Sequence, residues 1–186
     1  MIRTLLVLRP HFKLLLIVSV VFASIAMAMT WSSVRAAAST LTAQGGNVAI
    51  GNTIQVPIVL DNAPDGVVGF DLIVTLSKGS VASITGAYVM DMGLTTIDLI
   101  SSSEVRVRAA DLNGLMQSGA TGVTLATLSV QGTKRGATDV NIQVVRLDDD
   151  HGSPIIADVL SGTVNVKKSV GSGSSKGKGG GKGRKK

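Results

Sequence analysis

From Thr53 to Leu76 the chain reads TIQVPIVLDNAPDGVVGFDLIVTL, two apolar runs around a cluster of turn-forming residues. In the second run Phe70, Leu72, Val74 and Leu76 alternate with Asp71, Ile73 and Thr75. A period of two sends successive side chains to opposite faces of a strand, which assigns the first set to a core and the second to the other face. Asp61-Asn62-Ala63-Pro64-Asp65-Gly66 supplies turn backbone between them, so the segment predicts strand, turn, strand. The same signature recurs downstream. Ser39–Ala43 is a candidate first strand, followed by a turn at Gly45-Gly46-Asn47, and Val81–Met90 is a weaker strand. Thr95–Ile100 and Glu104–Ala110 read as a hairpin around Ser101-Ser102-Ser103, with Val105, Val107 and Ala109 inward and Arg106 and Arg108 outward. Val123–Val130 and Thr138–Leu147 follow across a turn at Gly132–Gly136, and Ser161–Val166 closes the pattern. In Thr138–Leu147 the phase set by Val140, Ile142 and Val144 switches at Val145 and Leu147, as a β-bulge requires. Pro57 has no N–H for a ladder and marks an edge position or a bulge. With no helical period and no internal repeat, the pattern predicts an all-β sandwich of about nine strands with jelly-roll or Greek-key connections.

Charge divides the chain into three parts. Residues 1–38 carry four Lys or Arg and no acid, residues 39–166 carry six against all twelve Asp and Glu, and residues 167–186 carry eight and no acid. The formal charge of +6 therefore sits at the ends, around an acidic middle. This argues against a fold specific for nucleic acid, which needs its basic patch on the folded domain. Arg3, Arg9 and Lys13 precede the apolar run Leu14–Met29, and Ala36-Ala37-Ala38 offers an Ala-x-Ala cleavage site before Ser39. This predicts a signal peptide over residues 1–38. An uncleaved anchor is the alternative, although the run is shorter than the ~20 residues of a spanning helix. Both place residue 39 onward outside the cytoplasm, secreted or at the cell surface. The 128 residues from 39 to 166 contain no cysteine, so an exported domain here depends on its apolar core without disulfides. The final KKSVGSGSSKGKGGGKGRKK is too poor in apolar residues to fold and reads as a disordered basic tail, suited to an anionic cell envelope.

In this order and spacing, Thr53–Leu60, Asp61–Gly66, Val68–Leu76, Val105–Leu112, Gly122–Val130 and Gly162–Val166 resemble a cohesin domain over nearly all of residues 39–166. The resemblance implies a nine-stranded jelly-roll sandwich related in structure to certain cellulose-binding modules. It also implies a non-catalytic role, in which the face made by strands three, five, six and eight holds a calcium-loaded dockerin on another extracellular protein. Carried to this chain, the partner-binding candidates are Asp71, Ile73, Thr75, Asp98, Arg106 and Arg108. Two features depart from the family. Ser77-Lys78-Gly79-Ser80 stands where members carry an Asp-Pro stretch, and these 186 residues include no second cohesin, dockerin or enzyme linker.

Other constellations point to less. Asp148-Asp149-Asp150-His151-Gly152 is the most concentrated polar cluster, and Asp148 and Asp150 are weak candidates for a surface calcium site. Counted from Asp148, Gly152 falls at the fifth position of a calcium loop and Val159 at the twelfth, where Gly at the sixth and Glu at the twelfth are needed. A turn explains the cluster more simply. His151 is the only histidine after the export segment and Glu104 is the only glutamate, so neither a zinc ligand set nor a catalytic triad is indicated. No cofactor is expected on this chain, and any calcium belongs more naturally to the partner. A polysaccharide-binding module is the alternative function. Its usual aromatic platform is reduced here to Phe70, which has a core phase, and Tyr88.

Overall fold

The computed structural model describes residues 38–168. The expected signal peptide up to residue 37 and the expected tail from residue 169 onward lie outside the described residues, while Lys167, expected in the tail, ends the last strand. Within the described residues the chain forms eleven strands and no helix. These are β1 (Ser39–Ala43), β2 (Gly46–Ala49), β3 (Thr53–Ala63), β4 (Gly69–Leu76), β5 (Ala82–Tyr88), β6 (Gly93–Ser101), β7 (Glu104–Asp111), β8 (Ala120–Gly132), β9 (Gly136–Asp148), β10 (Ala157–Leu160) and β11 (Gly162–Lys167). They pair as a five-stranded sheet, β10-β1-β3-β8-β5, and a six-stranded sheet, β2-β11-β9-β4-β7-β6. The inward rows of both sheets form a single apolar core that includes Leu41, Ile58, Leu60, Leu72, Val74, Val105, Leu125 and Leu128. Two loop residues complete it. Met92 and Met116 are fully buried although neither lies in a strand. Met116 is fixed by its N–H donating to Asp111 Oδ2 (2.8 Å) and its carbonyl accepting from Val67 N (2.9 Å).

The alternation in β4 appears as predicted, with Phe70, Leu72, Val74 and Leu76 buried and Asp71, Ile73 and Thr75 on the outer face. The phase switch in β9 is a bulge: Leu72 lies opposite Val144 and Asp71 opposite Arg146, leaving Val145 as the extra residue. Pro57 lies beside the register shift at Ile58/Val59 of the β3–β8 ladder. Its carbonyl accepts from Gln44 N (2.9 Å), just beyond the last β1–β3 pair, Ala43↔Ile58. The return bond that proline cannot donate falls at this position, where the β1–β3 ladder ends.

Two strands exceed the expected nine. Gly46–Ala49 forms β2 where a turn was expected, and Ala157–Leu160 forms β10 in a stretch to which the sequence pattern assigned no element. Neither has a convincing strand signature of its own. Each is a four-residue edge strand held by parallel pairing, β2 to β11 and β10 to β1. The segments 39–49 and 157–167 thus run side by side, and each crosses from the five-stranded to the six-stranded sheet. The crossing points pass so closely that a Cβ on Gly162 would overlap the carbonyl oxygens of Ala43 and Gln44, and one on Gly45 would overlap the Thr163 carbonyl. Glycine is required at both positions by backbone approach.

Candidate functional site

The outer face of the six-stranded sheet is where topology brings the candidate residues together. β4 is central, flanked by β9 on one side and by β7 and then β6 on the other. Register places Ile73 opposite Arg106 and Asp71 opposite Arg108 across β4–β7, and Asp98 opposite Arg106 and Thr96 opposite Arg108 across β7–β6. All six candidates, Asp71, Ile73, Thr75, Asp98, Arg106 and Arg108, therefore lie on one face. Side chains across a ladder and on its diagonals are within reach of one another.

The charged residues choose diagonal partners. Arg106 donates through Nε to Asp71 Oδ1 (2.9 Å) and through Nη2 to Asp71 Oδ2 (2.6 Å), a two-point fork. Arg108 donates through Nη2 to Asp98 Oδ2 (2.6 Å). The Arg106 bond holds the Asp71 carboxyl below its ordinary value, against a smaller opposing push from burial, and the same bond raises the Arg106 guanidinium above its own. The Asp71–Arg106 pair is the more sheltered, with side chains 16% and 37% exposed against 48% and 44% for Asp98–Arg108. Two acids and two bases thus neutralise one another around half-buried Ile73.

Other residues of this face were missed from the sequence. β9 places Asn141 beside Thr75, Gln143 beside Ile73 and Arg146 beside Asp71. Their shared phase was legible, from the alternation of Val140, Ile142 and Val144 for Asn141 and Gln143 and from the switch at Val145 and Leu147 for Arg146. Their adjacency to β4 was not, since nothing in a linear pattern says that β9 pairs with β4. β6 was also longer than the expected Thr95–Ile100, and its extension to Gly93–Ser101 adds the exposed Leu94.

The acidic cluster lies at the end of β9. Asp148 is buried, and its carboxylate accepts from Arg146 Nε. Asp149 Oδ1 accepts from the N–H groups of His151 and Ser153 (2.8 Å each), closing a turn. Asp150 packs on Gly66, where a Cβ would collide with its carboxylate. Among the described residues no three His, Cys, Asp or Glu side chains are grouped to hold a metal ion. Phe70 is 3% exposed in the core, and Tyr88, 65% exposed, ends β5 in the other sheet, so the two aromatic rings make no shared platform.

No family model matches the sequence, and no curated protein matches it. Solved structures do match the fold. A non-cellulosomal cohesin from the hyperthermophilic archaeon Archaeoglobus fulgidus is 21% identical with a TM-score of 0.58, the match covering 71% of this chain and 93% of that one. The sixth cohesin of Acetivibrio cellulolyticus scaffoldin B, solved with the Cel5 dockerin, is 18% identical (TM-score 0.61, 69% and 99% covered). A type I cohesin–dockerin complex from Clostridium thermocellum gives 15% identity (TM-score 0.60, 69% and 99% covered). The described domain has the cohesin fold.

Proposed function

We propose that this chain is a non-catalytic docking module that holds a dockerin-type protein outside the cell through the β9-β4-β7-β6 face. The observation that carries this reading is the face itself: a sheet surface whose Asp71–Arg106 and Asp98–Arg108 pairs satisfy each other around Ile73. Such a surface is set before binding. Side chains on a two-sided ladder lose little freedom on association, and paired charges avoid the penalty of burying an isolated one. Ile73 offers an apolar centre, and Gln143, Asn141, Thr75 and Thr96 offer hydrogen bonds around it. That cohesins of the same fold have been solved with dockerins supports the choice of partner. In this reading the N-terminal segment directs export and the basic tail holds the module near an anionic envelope.

The test is capture from culture supernatant of the source organism by the immobilised secreted chain, with calcium or with a chelator. The expected outcome is a protein bearing paired calcium loops, retained only with calcium and lost with Ile73→Lys, while the variant's thermal midpoint stays close to the parent's. Failure to retain any protein in a calcium-dependent way, or equal capture by Ile73→Lys, overturns the assignment.

A further inference from the structure

The strand at the end of the six-stranded sheet is regular up to Leu99, and a register shift between Leu99 and Ser101, next to the hairpin turn, is the only irregularity along it. β6 reads Gly-Leu-Thr-Thr-Ile-Asp-Leu-Ile-Ser, all nine residues exposed, with no Pro and no Lys. Its only charge, Asp98, is already bonded to Arg108. Leu94, Ile97, Leu99 and Ile100 are 60%, 38%, 51% and 55% exposed. Leu112 N donates to the Met92 carbonyl (2.7 Å), just before Gly93↔Asp111 opens the β6–β7 ladder. Antiparallel bonding alternates, so even-numbered positions direct their backbone groups to β7. Thr95, Ile97 and Leu99 therefore present theirs at the open edge, where no described strand pairs with them. A long, apolar, unblocked edge is a template for another strand.

We infer that β6 is the interface of a two-fold dimer, pairing antiparallel with β6 of a second copy of this chain, centred on Ile97. The pattern of the strand favours its own copy. Centred on Ile97, Thr95 meets Leu99 and Thr96 meets Asp98, so the regular stretch before the register shift at Leu99/Ser101 pairs with itself. The edge-directed groups of Thr95, Ile97 and Leu99 then face one another. Asp98 meets a hydroxyl, and the half-exposed Ile97 and Leu99 of each copy lie next to those of the other. Moving the centre by one residue to Asp98 sets two carboxylates directly opposite and is disfavoured. The join lies at the edge of the sheet, leaving the paired charges of its outer face in place. It rests on the fold and not on the docking reading.

The chain has no cysteine, which permits a direct test of register on the full secreted chain. Across the two-fold, Ile97 is opposite itself as a hydrogen-bonded pair with Cα atoms about 5.5 Å apart, within disulfide range. Under mild oxidation Ile97→Cys is expected to form a covalent dimer, and Leu94→Cys, three residues from the two-fold, is not. Sedimentation velocity should show a concentration-dependent dimer of the parent. Thr95→Pro, which removes an edge-directed N–H without breaking a β7 bond, should lose that species with unchanged circular dichroism. A parent that stays monomeric, a dimer that survives Thr95→Pro, or Leu94→Cys cross-linking as well as Ile97→Cys overturns the inference.

Discussion

Asp71 is the residue at which sequence phase, pairing geometry and electrostatics meet. Its position in β4 sends it outward, β7 supplies Arg106 on the diagonal, and the two-point bond stabilises the carboxylate over the acid. The folded-state pKa therefore lies below the ordinary 3.8, which is the value the unfolded chain retains. Above 3.8 both states are ionised, and the pair contributes its full stabilisation. As pH falls through 3.8 towards the folded value, the unfolded state binds its proton first and the contribution disappears. Asp71→Asn removes that titration. Thermal midpoints of parent and variant should differ by a constant amount well above pH 3.8 and converge as the pH falls below it, through the lowered folded-state value. A gap that persists undiminished in acid would show that Asp71 acts through packing and not through its charge.

At the scale of strands, what was legible in the sequence depended on whether an element's register is set by its own pattern. β4, β7 and the bulge in β9 were readable because alternation and its interruption are local. β2 and β10 were not, because four residues beginning at Gly46 or ending at Leu160 become strands only by lying against β11 and β1. Asn141, Gln143 and Arg146 were missed for a related reason: strand phase is local, strand order is not. The difference can be tested by deletion. Removing Val145 leaves Val144 inward, Arg146 outward and Leu147 inward, a regular strand, so the variant should fold with a loss of about 1–2 kcal/mol in urea unfolding. β4 has ladders on both sides, and its inward row shows no extra residue to absorb a slip. Deleting Ile73 turns either Phe70 and Leu72 or Val74 and Leu76 outward, each a pair whose burial contributes about 3–6 kcal/mol. That variant should fail to accumulate as folded protein, and recovery of both at similar stability would contradict the register described here.

For the whole molecule, the decisive property is the separation of charge between the sandwich and the chain beyond it. Residues 39–166 hold twelve acids against six bases, and the last eleven residues hold six Lys or Arg. On the β9-β4-β7-β6 face Asp71 and Asp98 are neutralised by Arg106 and Arg108, and the sandwich as a whole carries more acids than bases, so it has little to draw it to an anionic surface. Any such attraction has to come from the basic charge outside the sandwich, eight Lys or Arg in residues 167–186 and four in residues 1–38. Salt screens exposed charges within about 8 Å at physiological ionic strength, so a tail that acts by charge should act strongly only in dilute salt. Binding of the exported chain to envelope preparations from the source organism should therefore be retained at low salt and released as salt rises. Deleting Lys176–Lys186 should abolish the low-salt binding while leaving the thermal midpoint, and capture by the sheet face, unchanged. If the truncated chain binds the envelope as well as the full one, attachment lies in the sandwich or the N-terminal segment, and the tail's charge has no part in it.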